Sequence, residues 1–186
     1  MSFKTITIAL IVLITPIFTF AQEEVTIKEK KDEVSSFMKY NHDLGFAIGT
    51  VTGVGLSYRH WFNNTKLQKF GIQATFAPYL INKNYQEYHG GISFLYRIAD
   101  SEHVSLFMYQ ANSIEYADSR PSSSDNDRDV YSMISNGLGV GVEILALKHL
   151  SINVMTGYHL INTRGSDGST DTSFGLKGEL GLFYKF

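Results

Sequence analysis

The side chains able to do chemistry are few and scattered. The chain has no cysteine, which excludes thiolate nucleophiles, thiolate zinc sites and disulfide frameworks together. An esterase-type pairing, a serine or acid beside a histidine, can be assembled from Ser57 with His60, His89 with Ser93, or His159 with Glu143. None of these lies in a nucleophile-elbow motif, and in an alternating strand Ser57 and His60 fall on opposite faces. No catalytic residue is assigned. The stretch Asp125-Asn126-Asp127-Arg128-Asp129 offers oxygen ligands at alternate positions, as calcium loops do. Its sixth position is Val130 instead of glycine, its twelfth is Asn136 instead of glutamate, and Arg128 repels a cation. It reads as a solvated loop, so neither a metal nor a cofactor is expected.

A second set is more informative. Arg59, Arg97, Glu143, Lys177 and Glu179 each alternate with large apolar neighbours and share a face with glycine or serine, and Glu115 and His89 extend the set. Isolated charges on an enclosed face are costly, so these residues are expected to pair with one another across an interior. The expected product is a structural network of ion pairs and hydrogen bonds rather than a catalytic site.

Such a face requires strands to build it. From Leu44 onward the period is two. Leu44, Phe46 and Ile48 alternate with Gly45, Ala47 and Gly49, and Val54, Leu56 and Tyr58 with Gly55, Ser57 and Arg59. The pattern continues with Phe70, Ile72, Ala74 and Phe76, then with Ile92, Phe94, Tyr96 and Ile98. It returns with Leu138, Val140, Val142 and Ile144, with Ile152, Val154, Tyr158 and Leu160, and with Phe174, Leu176, Leu180, Leu182, Tyr184 and Phe186. Over residues 103–117 both parities are apolar, and the face stays open between Val104, Leu106, Met108 and Phe107, Tyr109, Ala111. The expectation is about eight strands closed into an all-β, antiparallel, up-and-down transmembrane barrel, with apolar side chains facing lipid and polar ones facing inward. Closure satisfies every backbone group, as hydrocarbon demands. The predicted links after strands two, four and six are short, and those after three, five and seven are mostly longer. The first connection, at Thr52-Gly53, is unexpectedly tight.

Composition agrees. The net charge of -2, with scattered basic residues, argues against a nucleic-acid partner. Residues 1–21 have a basic start at Lys4, an apolar middle and a small residue, Ala21, at the end, the pattern of a cleaved signal peptide. Residues 22–41 form a charged, glycine-free lead-in. All 16 glycines lie from Gly45 onward, which places the domain over residues 42–186.

The signal segment, the run Gly-Val-Gly-Leu-Ser-Tyr-Arg-His-Trp-Phe ending at Phe62, and the final strand carry a likeness. The chain resembles the small eight-stranded outer-membrane β-barrel proteins of Gram-negative bacteria, the group that includes outer membrane protein X and the barrel domain of outer membrane protein A. The resemblance implies residence in the outer membrane in contact with its lipid. It also implies an assembly signal at Leu180, Leu182, Tyr184 and Phe186 for the barrel assembly machinery. Tyr58, Trp61, Phe62, Tyr79, Tyr88, Tyr131 and Tyr158 suit interfacial girdles. Eight strands enclose little more than side chains, so a diffusion porin is not expected. The leading role is structural or surface interaction, with an extracellular partner reached through the 118–130 loop and its Ser122-Ser123-Ser124 tip. A small-ligand or lipid-binding barrel, for which Gly137, Gly139 and Gly141 could leave room, is the alternative, together with a lipid-modifying enzyme and a soluble periplasmic barrel of reversed polarity.

Overall fold

The computed structural model describes residues 37, 39–62, 69–82, 85–119 and 129–186. The signal-peptide expectation for 1–21, the Ser122-Ser123-Ser124 tip and most of the calcium-like stretch lie outside these residues, as does the side chain of Tyr79.

Eight strands follow one another in chain order: β1 (His42–Gly49), β2 (Gly55–Trp61), β3 (Phe70–Asn82), β4 (Tyr85–Asp100), β5 (Val104–Ser119), β6 (Asp129–Leu147), β7 (Leu150–Arg164) and β8 (Thr170–Lys185). Each pairs antiparallel with the next, and β1 closes onto β8 through Leu44↔Tyr184 and Phe46↔Leu182. Closure leaves no edge strand. Beyond the ladder, the Trp61 N–H donates to the Asn41 carbonyl at 2.8 Å and the Phe186 N–H to that of His42 at 2.9 Å, extending the pairing at both sides of β1.

The wall is inverted relative to a water-soluble protein. Leu138 is 66% exposed, Leu180 55% and Phe94 53%, whereas Arg59 and Glu143 are fully buried. On β6 the outward apolar residues run from Ile134 to Ile144. At about 3.3 Å per residue and a tilt of about 40°, such a run spans about 25 Å along the axis, the height of a membrane barrel's apolar band. Two outward amides within this band, Asn112 on β5 and Asn136 on β6, hydrogen-bond to each other across the strands.

The open parity of β5 is settled by its neighbour. Val104, Leu106 and Met108 face out, and Phe107, Tyr109 and Ala111 face in. Phe107 pairs with Gly141 and Tyr109 with Gly139. A Cβ at Gly141 would lie 2.3 Å from the Phe107 ring, and one at Gly139 2.5 Å from Tyr109. Gly139 and Gly141 are therefore the sockets for the aromatics of β5, while Gly137 lies against His159 of β7, and the room these glycines were expected to leave for a ligand is taken. Gly139→Ala should destabilise the barrel by about 1–3 kcal/mol through overpacking. Gly90→Ala, whose new methyl would meet its nearest neighbour at 3.6 Å, should change little. Urea unfolding of both variants in micelles checks the contrast.

One expectation about the chain's layout needs correction, and two others gain detail. The contrast in connection length is weaker than the sequence suggested, because β3 and β4 pair out to Asn82↔Tyr85 with a register shift and leave only residues 83–84 between them. At the opposite end, the link between β2 and β3 spans 62–69. The tight first connection, 50–54, bends into the barrel, burying Val51 and Thr52 completely. Finally, the lead-in is not separate from the barrel at its last residues: Phe37 is fully buried and its carbonyl accepts a bond from Arg97 Nη2 at 3.2 Å.

The 165–169 turn carries local turn chemistry only. The Ser169 N–H donates to Asp167 Oδ1 at 2.8 Å. The Ser169 hydroxyl, and after it this N–H, hold the Asp167 carboxyl below the usual carboxylate range.

Candidate functional site

The inward parity gathers charge in the lumen, towards the end where β1 begins and β8 finishes. Asp43 on β1, Arg59 on β2, Glu143 on β6 and Lys185 on β8 are all fully buried. Arg59 Nη1 lies 3.2 Å from Glu143 Oε2 and 3.6 Å from Asp43 Oδ2. Lys185 Nζ lies 2.8 Å from Glu143 Oε1 and 3.2 Å from Asp43 Oδ2. Two anions and two cations thus alternate in a closed, neutral ring of contacts. The Ser151 hydroxyl donates to Glu143 Oε1 at 2.6 Å. Phe183 covers the ring from one side, its centroid 4.2 Å from the Arg59 guanidinium carbon, a cation–π contact in a desolvated setting.

A polar relay leads away from this ring. Arg59 Nη2 donates to Gln73 Oε1 at 2.8 Å, and Gln73 Nε2 donates to Glu179 Oε1 at 2.9 Å. The other oxygen of Glu179 accepts from the Thr52 N–H at 2.7 Å and from the Thr52 hydroxyl at 2.6 Å. This explains the inward bend of the first connection, which brings Glu179 the donors that no cation supplies. Gly91 makes room for it, since a Cβ there would sit 2.5 Å from the Thr52 carbonyl oxygen.

Of the five charged residues expected to pair, Arg59 and Glu143 meet directly, and Glu179 joins them only through Gln73. Arg97 stands apart. Its guanidinium carbon lies 3.8 Å from the centroid of Trp61, and its Nε is 3.9 Å from Asp100. Lys177 is 6% exposed, and its ammonium has no hydrogen-bond partner among the described residues. Asp43, which is not among those five, shares its parity with Gly45 and so also points inward. Lys185 carried the same signal on β8. Gln73 and Thr52 gave none, because an uncharged polar residue beside glycines is commonplace in a strand and a loop has no period.

Two aromatics assigned to girdles point inward instead. Trp61 shares parity with Arg59 and is 1% exposed, and the Tyr131 hydroxyl donates to Met133 Sδ at 3.4 Å on the inner face. Tyr58, Tyr88 and Tyr158 do face outward.

The esterase-type pairs do not assemble. Ser57 faces the lumen and His60 the exterior. Glu143 pairs with Asn153 and His159 with Gly137, so the acid and the imidazole are separated by about 20 Å along the wall at about 3.3 Å per residue. His159 Nδ1 instead lies 3.0 Å from the Ser135 hydroxyl, and its Nε2 3.5 Å from that of Tyr109. Ser135 is fully buried.

The final strand presents Leu180, Leu182, Tyr184 and Phe186 on the exterior, each about half exposed. Together they form one continuous ridge beside the β1 seam.

No protein-family model matches the chain, and no curated protein matches it. Among solved structures it is similar to a major outer membrane protein from Thermus thermophilus, with 14% sequence identity and a TM-score of 0.45 over 78% of this chain and 99% of that one. It is also similar to CarO2 of Acinetobacter baumannii, with 10% identity and a TM-score of 0.38 over 79% of this chain and 99% of that one.

Proposed function

We propose that the protein is an integral outer-membrane β-barrel whose lumen is sealed by its own side chains and which acts at the cell surface through its outer connections. One observation carries the reading: a band of exposed Leu, Ile, Val and Phe surrounds an interior of fully buried Arg59, Glu143, Asp43 and Lys185. Water would favour the opposite arrangement, whereas hydrocarbon favours this one. The reversed-polarity soluble barrel loses its support on the same ground. The filled glycine sockets speak against a ligand-binding lumen, and the separation of acid, base and nucleophile speaks against a lipid-modifying enzyme.

In this reading residues 1–21 direct export and are removed, the ridge of Leu180, Leu182, Tyr184 and Phe186 is read by the assembly machinery, and the 118–130 loop meets an extracellular partner. Gel migration of the detergent-extracted outer-membrane fraction tests the location, with boiled and unboiled samples expected to run differently. In planar bilayers the purified protein should give no steady channel conductance, because the ring around Arg59 and the Thr52 connection occupy the bore. A protein found in the soluble periplasmic fraction, or one that conducts steadily, would contradict the proposal. Deleting residues 120–128 should leave migration unchanged while removing a surface-binding phenotype.

A further inference from the structure

Glu87 and His89 alternate on β4, and Glu115 stands directly across from His89 on β5. All share the lumen parity, near the mouth that carries the 83–84 and 120–128 connections. One ligand atom from each lies within 4.8 Å of the others. His89 uses both ring nitrogens here: Nε2 contacts Glu87 Oε1, and Nδ1 lies 3.8 Å from Glu115 Oε2. The side chains are 14%, 22% and 29% exposed for His89, Glu87 and Glu115. They are therefore shielded but reachable from water, unlike the sealed ring around Arg59. Two carboxylates thus face one imidazole. The first connection lies against the base of the His89 side chain, since a Cβ at Gly53 would lie 3.2 Å from His89 Cβ.

We propose that Glu87, His89 and Glu115 form a divalent metal site at this mouth, selective for zinc and similar first-row ions over calcium and magnesium. Imidazole nitrogen with carboxylate oxygen is a zinc donor set, and a trio of protein ligands leaves a coordination position for water or a partner's side chain. Ligand atoms around a tetrahedral ion at about 2.1 Å are about 3.4 Å from each other, so the three residues must draw together and the imidazole, whose two nitrogens now face one carboxylate each, must turn one nitrogen towards both. Calcium wants six or more oxygens, which this trio cannot supply, and imidazole shifts preference towards the transition metals.

The test is calorimetric titration of the full chain, refolded in detergent micelles and purified without a histidine tag, with zinc chloride and separately with calcium chloride. The expected result is one saturable zinc per barrel and no saturable calcium. His89→Ala and Glu115→Gln should each weaken zinc at least by the roughly tenfold that loss of even an outer-sphere partner costs. Unboiled gel migration shows which variants have folded. If His89→Ala does not fold, the isosteric Glu87→Gln and Glu115→Gln decide. Absence of saturable zinc, calcium binding as tight as zinc, or zinc affinity unmoved in the folded variants overturns the proposal, the last by placing the ion elsewhere, for instance on the exposed His103.

Discussion

Replacing Arg59 by methionine should cost the barrel about 3–5 kcal/mol, the range for removing one member of a buried ion pair. The substitution keeps the hydrophobic stem against Phe183 but leaves Asp43 and Glu143 facing Lys185 alone. That strands a net negative charge in a space with no water to solvate it. An exposed pair of the same type would cost at most about 1 kcal/mol, so the size of the loss reports the burial. Urea unfolding in micelles or vesicles, followed by emission from Trp61, measures it. This is the chain's single tryptophan, and it lies within the lumen. The double replacement Arg59→Met with Glu143→Met retains the contact of Lys185 with Asp43 and restores neutrality. Its cost should fall well short of the sum of the single losses, the signature of directly coupled residues. A loss under about 1 kcal/mol in the single variant, or strict additivity in the pair, would mean that the ring is not the closed electrostatic unit its distances describe.

The strands were legible because the pleat and the composition give the same information: wherever one parity was large and apolar and the other small, as in Leu138, Val140 and Val142 against Gly137, Gly139 and Gly141, the face followed directly. On β5 both parities were bulky, and periodicity alone could not choose between them. The choice rests on register, because only pairing Phe107 with Gly141 and Tyr109 with Gly139 shows that the rings have sockets to enter. The same limit applied to the lumen. Parity identified Arg59 and Glu143 as inward, but which charges meet depends on the stagger between strands that are distant in the chain. Arg97 and Arg59 carry the same parity signal, yet one lies against Trp61 and the other within the ring. Thr52 and Phe37 enter the interior from segments outside the regular strands, where alternation carries no information. For Asp43 the alternation is weak because it stands at the very start of the pattern, where too few preceding residues establish a period.

Leu138→Arg supplies the sharpest test of what surrounds the wall. Leu138 lies midway along β6, 66% exposed, between Gln110 on β5 and Tyr158 on β7. In water, an arginine at so exposed a position would change stability by no more than about 0.5 kcal/mol. At the midplane of a bilayer it should cost about 2–4 kcal/mol. Ile134→Arg, on the same face towards the end of the apolar run, provides the gradient, since the penalty falls to about 0–1 kcal/mol near the interface. The two variants differ little in exposure, 66% against 56%, so burial cannot account for a difference between them, whereas depth in hydrocarbon can. Reversible urea unfolding in lipid vesicles, scored by unboiled gel migration and Trp61 emission, should therefore rank Leu138→Arg well below Ile134→Arg, with the latter close to the unmodified protein. Equal stabilities for all of them would place water on the outside of the wall, and the exposed leucines and isoleucines would then require another covering.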